Sequence, residues 1–373
     1  MSTTKAGPLQ NRIAALDILR GFALLGVLTV NMGDFSSGAY FPDYTFPDWG
    51  PANQLAYLAV HFLAEYKFYL LFSFLFGLGF AVQMGRMEGR GGDFVPFYLR
   101  RLAILMLIGL LHAFLLWRGD ILRLYALLGL VLLLVRGVQS WKLYAGALAL
   151  MGLSLLIFAS AGSETDWPSS WRIYLDYSYW QLVEYRATTP IETLWLGIQL
   201  PSVLAMFFLG LSLGRSGVME KPEVYQPFLR RWLAPALILG LIGNGVYVLA
   251  LVSEAYPLAA LAVHIGAPAL SFAYASLILL NAHRLSFLAP VGQMALTNYL
   301  SHSLICTTLF YGYGLGLYNQ VDPLGRWALI AAIYGGQILL SNFWMARFRF
   351  GPMEWLWRSL TYGRAQPWRR GAA

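Results

Sequence analysis

The stretch Arg12-Ile-Ala-Ala-Leu-Asp17-Ile-Leu-Arg20-Gly-Phe-Ala-Leu-Leu-Gly-Val-Leu-Thr-Val-Asn31-Met-Gly-Asp34-Phe35 decides the class of this chain. Its apolar run, 15–33, is long enough to cross a bilayer as a helix. It nevertheless carries Asp17, Arg20, Asn31 and Asp34. At about 100° per residue these four fall within one arc of roughly 100°. A helix in lipid that gathers its polar groups in one stripe turns that stripe toward protein or water. Intramembrane ionisable residues are expensive, and a functional site is the first hypothesis for them. The plainer alternative is a packing pair, Asp17 with Arg20 three residues on, tying this helix to its neighbours.

The rest of the chain agrees with a membrane protein. It has 373 residues, of which 58% are hydrophobic and 12% charged, whereas a soluble domain carries about 25% charged residues. The first apolar run is interrupted by charge and has no small-residue cleavage site after it, so it is expected to stay as helix 1. The single cysteine, Cys306, excludes an internal disulfide and a cysteine-based metal cluster. Net charge is +8, but the basic residues lie in short loops and a tail rather than on one soluble face. That distribution argues against nucleic acid as a partner.

Apolar runs occur near 15–33, 67–85, 102–118, 121–136, 141–160, 192–214, 232–253, 257–280, 288–311 and 326–346. The fourth is short enough to be tilted or partly re-entrant. Residues 53–66, with His61 and Glu65, either extend helix 2 or lie at the interface. With alternating sides and a cytoplasmic N-terminus, the inner segments hold 19 basic residues, including Lys5, Arg12 and Arg90, and the outer segments five. The positive-inside rule then predicts an all-α polytopic protein of about ten transmembrane helices with both termini cytoplasmic, in the bacterial inner membrane. The expected layout is a single membrane domain over 1–373. It comprises a cytoplasmic N-terminus (1–14), a ten-helix bundle (15–346) and an amphipathic tail (347–373). The outer segment 161–191 carries Trp167, Trp171, Tyr174, Tyr177, Tyr179 and Trp180, which suits a helix lying on the outer surface.

Depth along the helices sorts the candidate residues. His112 lies about 16 Å from Arg101, near the midplane, and His302 about 20 Å into helix 9. His61, Asn31, Glu65, Lys67, Asp120 and Asn298 fall at comparable levels or further outward. The inner ends carry Arg20, Arg100, Arg101, Arg230 and Arg231. Arginine matches phosphate oxygens with a fixed donor fork, so a basic inner mouth suits a phosphate-bearing donor. A histidine near neutral pKa suits a general base on an acceptor hydroxyl or amine. Against this stand the positive-inside rule for the arginines and helix-packing hydrogen bonds for each histidine.

Three local constellations rise above that background. His112 through Gly119-Asp120 to Tyr125 puts a histidine, a carboxylate and a tyrosine on both limbs of a tight helical hairpin, where Asp120 also suits a helix cap. His61 and Glu65 are i,i+4 neighbours, a spacing that lets a carboxylate orient an imidazole. Asn298 and His302 share that spacing on helix 9. Histidines spread over four helices with few carboxylates predict no metal site. The glycine clusters at 77–80 and 312–316 lack a strand–turn–helix context and are not nucleotide fingerprints.

These residues carry a resemblance. Leu-Asp-Ile-Leu-Arg-Gly-Phe-Ala-Leu-Leu-Gly-Val-Leu-Thr-Val-Asn (16–31) resembles the opening motif of the YeiB-like family of bacterial inner-membrane proteins. Lys-Phe-Tyr-Leu-Leu-Phe-Ser-Phe-Leu-Phe-Gly-Leu-Gly-Phe (67–80) follows, then His112 through Gly-Asp-Ile-Leu (119–122) to Tyr125. Gly-Gln-Met-Ala-Leu-Thr-Asn-Tyr-Leu (292–300) and Phe-Gly-Pro-Met-Glu-Trp-Leu-Trp-Arg-Ser-Leu-Thr-Tyr (350–362) complete the pattern. That family looks like a branch of the transmembrane acyltransferases, which include heparan-alpha-glucosaminide N-acetyltransferase. The opening Asp17, Arg20, Gly21 and Asn31 is similar to that enzyme's. Two positions depart from the wider group: Asn31 stands where O-acyltransferases commonly have histidine, and Phe-Leu-Ala-Glu follows His61 where the N-acetyltransferases have Trp-Asn-Gly.

The resemblance implies acyl transfer from a cytoplasmic acyl-CoA or acetyl-CoA donor, without a metal, to a lipid, glycan or small-molecule acceptor. His112 is the expected base or acyl carrier, with Asp120, Tyr125, His61 and Glu65 as further catalytic candidates. Asp17, Arg20, Asn31, Lys67, Arg100, Arg101, Asn298 and His302 are the expected donor-binding or channel residues. Membrane lipids are the expected surroundings, and a homodimer is left open. A transporter or exporter of a solute or lipid is the alternative, although the sequence shows no inverted repeat or paired broken helices. A non-catalytic membrane partner or sensor is the third reading.

Overall fold

The computed structural model describes residues 8–39, 41, 45, 47–89, 91–160, 170–189, 193–217 and 221–370. Lys5, Arg90 and Trp167, together with the side chain of Arg12, lie outside the described residues. Helix α1 spans Pro8–Ser36, α2 Gly50–Leu63, α3 Lys67–Glu88, α4 Phe94–Leu115, α5 Leu122–Val135 and α6 Ser140–Ser160. Two short helices follow, α7 (Ile173–Asp176) and α8 (Tyr179–Thr188). Then come α9 (Thr193–Arg215), α10 (Pro222–Val252) and α11 (Tyr256–Leu280). The chain closes with α12 (Ala289–Gln293), α13 (Ala295–Phe310), α14 (Pro323–Arg347) and α15 (Pro352–Tyr362).

The protein is an all-α polytopic membrane protein. Among the described residues, seven helical stretches are long and apolar enough to cross a membrane: α1, the α2–α3 stretch, α4, α6, α10, α11 and α14. The runs expected at 121–136 and 192–214 fall on α5 and α9, which are apolar but shorter over their described parts. The run expected at 288–311 is interrupted at Met294, which separates α12 from α13. Lipid-facing and protein-facing helices differ as the solvent requires. Leucines of α5 and α6 such as Leu134 and Leu148 stand exposed, whereas α1 buries Leu19, Ala23, Leu24 and Leu28 in the centre of the bundle. Residues 53–66 extend helix 2, since 50–88 forms one apolar stretch long enough to cross a membrane. They form most of α2, joined to α3 by a break at Ala64–Tyr66. Tyr66 there takes a left-handed backbone, φ 64°, which costs a residue with a Cβ about 1–2 kcal/mol. Non-helical backbone at this depth persists only where protein or a cavity surrounds it.

Close backbone contact positions the central helices. A Cβ on Gly77 of α3 would strike the Phe207 carbonyl of α9, and one on Gly210 of α9 would strike that of Phe74 in α3. Without a hydrophobic drive between helices in lipid, such close packing is what associates them. Gly210→Val is therefore expected to push α9 off α3 and cost about 1–3 kcal/mol, read as a lower unfolding midpoint in detergent. An unchanged midpoint would show that the pair is not in contact. The same geometry holds α1 against α12, where Gly292 meets the Asp17 carbonyl.

The C-terminal segment folds back as a strap across one end of the bundle. Glu354 of α15 accepts from the amides of Leu296 and Thr297 at 2.6 and 3.0 Å and from Thr297 Oγ1 at 2.6 Å. It thereby satisfies the free donors at the start of α13. Burial pushes the Glu354 carboxyl above its ordinary range, and the donors from α13 pull against that shift. Trp344 stacks on Phe348, Trp368 meets Phe348 and Trp355 edge-on, and the Arg349 amide donates to the Trp368 carbonyl at 3.0 Å.

Candidate functional site

A cavity of about 1010 Å³ runs along one face of α1. Asp17, Arg20, Leu24, Val27, Asn31 and Asp34 all line it, so the polar stripe of the first helix faces this space. From Asp17 to Asp34 the helix rises about 25 Å. The volume lies at the upper end of the range for small-molecule sites.

At one end the lining is basic. Arg20, Arg86, Arg101, Arg349 and Arg358 converge there from α1, α3, α4, the α14–α15 link and α15. Asp17 pairs with Arg20 at 2.9 Å, and Glu354 is taken up by α13. The Arg101 guanidinium lies 3.5 Å over the Trp357 ring, while Trp357 Nε1 donates to the Arg101 carbonyl at 3.0 Å.

Toward the other end Asp34, Glu65 and Asp120 line the cavity beside Arg118 and Arg123. Glu65 and Asp120 are each paired with a histidine, and the Asp120 carboxylate is fully buried within the wall. Glu65 sits in the α2–α3 break. Its Oε2 accepts from the Tyr247 hydroxyl at 2.7 Å and bonds His61 Nδ1, and Oε1 has no hydrogen-bond partner among the described residues. Asp120 sits in the α4–α5 turn. Its Oδ2 lies 2.8 Å from His112 Nδ1, and its Oδ1 accepts from the Arg123 amide at 2.9 Å. His112 Nε2 is in turn 2.8 Å from Ser303 Oγ of α13. A neutral His112 satisfies both contacts in one tautomer: Nδ1–H donates to Asp120, and Nε2 accepts the Ser303 hydroxyl proton.

The other expected residues divide between the wall and the layer behind it. Tyr125 lines the cavity, with its hydroxyl 2.8 Å from Ser73 Oγ. His61 and His112 are not among the lining residues. Lys67 is fully buried and donates to the His61 carbonyl at 2.7 Å, which ties the break together rather than facing the cavity. Arg100 does not line it either and donates to the Thr361 carbonyl at 3.3 Å. Asn298 and His302 share a helix face, but that face turns to α14. Asn298 Nδ2 donates to Ser341 Oγ at 3.1 Å, and His302 Nε2 lies 2.8 Å from Gln337 Oε1. Sequence reasoning missed Ser303, Tyr247, Arg349 and Arg358. Contacts of Ser303 and Tyr247 span 191 and 182 positions, and no local spacing signals such pairings.

Fold and site define a class: a polytopic membrane protein with an internal cavity lined by an arginine cluster and by histidine-paired carboxylates. The comparisons then place the chain. It is 35% identical to the uncharacterized protein YxaH of Bacillus subtilis (strain 168), covering 98% of both chains. It is 34% identical to the uncharacterized protein YeiB of Escherichia coli (strain K12), over 95% of this chain and 98% of that one. An uncharacterized 39.9 kDa protein from the amylase 3' region of Bacillus acidopullulyticus is 32% identical over 96% of each. Residues 213–364 match the model for a protein of unknown function, DUF418. The chain belongs to this YeiB-like, DUF418 family.

Proposed function

We propose that the protein is an acyltransferase of the bacterial inner membrane. It moves an acyl group from a cytoplasmic acyl-CoA-type donor to a hydroxyl- or amine-bearing acceptor. The observation that carries this reading is one cavity lined both by the arginine cluster and by Glu65, with Asp120 in the wall beside it. Arginines suit the phosphates of the donor, and the length of the cavity lets an extended arm bring a thioester to Glu65. The acceptor oxygen or nitrogen attacks the thioester carbonyl. A carbon–oxygen or carbon–nitrogen bond forms, the carbon–sulfur bond breaks, and the leaving thiolate takes the proton that Glu65 has accepted, which gives the free thiol and restores the carboxylate. The acceptor's proton passes to Glu65 Oε1, because His61 and Tyr247 hold Oε2 and leave Oε1 open. Asp120 has both oxygens engaged, and the His112–Ser303 chain behind it shapes the acceptor end.

Equilibrium binding of radiolabelled acyl-CoA to purified protein in detergent tests the reading. Saturable binding is expected, weakened about tenfold in Arg101→Gln by loss of one charge-assisted contact. No binding of CoA or of any acyl-CoA would overturn it. A second reading, transport, is favoured by one specific observation: two interrupted helices, α2–α3 and α12–α13, flank the cavity. Proteoliposomes that move a solute without altering it would favour transport, and recovery of an acylated product would exclude transport alone.

A further inference from the structure

The arginines at the basic end are not spread as a membrane-surface charge would be. Arg20, Arg86, Arg101, Arg349 and Arg358 come from five separate segments and line one cavity mouth. Positive-inside residues need only point to the cytoplasmic water. Arg86, Arg349 and Arg358 are exposed, yet all five arginines border the same cavity. The carboxylates that line this end, Asp17 and Glu354, are occupied with Arg20 and with the start of α13. Arg86 and Arg349 make no ion pair with the described residues, and Arg358 lies 4.7 Å over the Phe350 ring. The mouth therefore holds more cationic charge than the protein neutralises.

The strap that supplies two of these arginines is held in place independently of any ligand. Glu354 anchors α15 to α13, Trp357 clamps it to Arg101 of α4, and the Trp368 ring contacts tie the chain end to α14. A group fixed in this way loses little freedom on binding. Several guanidinium forks carried on a fixed strap and its neighbouring helices match an anion with several phosphate groups better than a single phosphate or a carboxylate.

We infer that the C-terminal strap, through Arg349 and Arg358, completes a polyphosphate-binding site at this mouth together with Arg86 and Arg101. Its ligand is the phosphoanhydride-bearing portion of a nucleotide-type donor. The inference rests on the proposed acyl-CoA reading for its biological ligand, but its geometry stands apart from the transfer chemistry. It makes the C-terminal helix part of the substrate site rather than only an interfacial anchor.

Calorimetric titration of the full-length protein in neutral detergent with inorganic phosphate, pyrophosphate and tripolyphosphate tests it. Affinity is expected to rise with each added phosphate. Arg349→Gln and Arg358→Gln are each expected to weaken tripolyphosphate binding about tenfold. Arg364→Gln, a loss of the same charge from the strap outside the cavity lining, is expected to leave it unchanged. Affinity independent of phosphate number, or an equal loss in Arg364→Gln, would overturn the inference. The two proposals fail separately. Acyl transfer with normal donor affinity in the Arg349 and Arg358 variants would sink the strap site and keep the enzyme. Tight tripolyphosphate binding without acyl-CoA binding would keep the strap site and sink the enzyme.

Discussion

Asp120→Ala is expected to cost about 3–5 kcal/mol of stability, because it removes a buried carboxylate that holds both the neutral His112 and the charged Arg123. The side chains of Asp120 and His112 are 0% and 1% exposed. The substitution strands His112 Nδ1–H and the Arg123 amide, and removes the Arg123 guanidinium's contact at 3.4 Å. Water cannot replace these bonds without opening the α4–α5 hairpin, so the lost desolvation is not recovered. Ser303→Ala should cost less, about 1–3 kcal/mol, because it leaves one acceptor nitrogen unpaired. Asp120→Asn keeps one acceptor oxygen and should fall between the two. Unfolding midpoints in detergent give the order. Equal stability of Asp120→Ala and the unaltered protein would show that the hairpin is not held by this chain of bonds.

The second large effect falls on chemistry. Under the acyl-transfer reading, Glu65→Gln should lower the transfer rate by about 10²–10⁴, the usual contribution of a general base. It should leave donor binding intact, since Glu65 stands far along the cavity from the arginines. Glutamine still accepts from Tyr247 through its carbonyl, so the α2–α3 break is kept. Assay of acyl transfer beside acyl-CoA binding separates the two quantities. A rate unchanged within a factor of two would remove Glu65 from the reaction.

The difference between His112 and Glu65 shows where sequence reading stops. The His61–Glu65 pair was visible from its i,i+4 spacing, whereas His112 and Asp120 were visible only as residues of one hairpin, and the bond between them came from the fold. The sequence did not show the order of the layers: Glu65 meets the cavity, whereas the Asp120 carboxylate is sealed within the wall with His112. That order depends on which side of each helix meets α1 and α13. The break at Tyr66 was equally hidden, because a left-handed tyrosine leaves no compositional trace. Asn298 and His302 share a face as their spacing requires, but only packing shows that α14 covers it.

Hydropathy determined that the chain lives in a membrane as a helical bundle, because apolar length and the need to satisfy backbone hydrogen bonds within each segment are local properties. Period alone placed Asp17, Arg20, Asn31 and Asp34 in one stripe, since the angle per residue is fixed in a helix. Tertiary structure decided that this stripe borders a cavity. It also brought Arg349 and Arg358 of the strap to the same mouth as Arg20, and Ser303 to His112. Those meetings are set by close packing of helices far apart in the chain, where a glycine such as Gly292 admits a backbone carbonyl, and no single stretch of sequence encodes them.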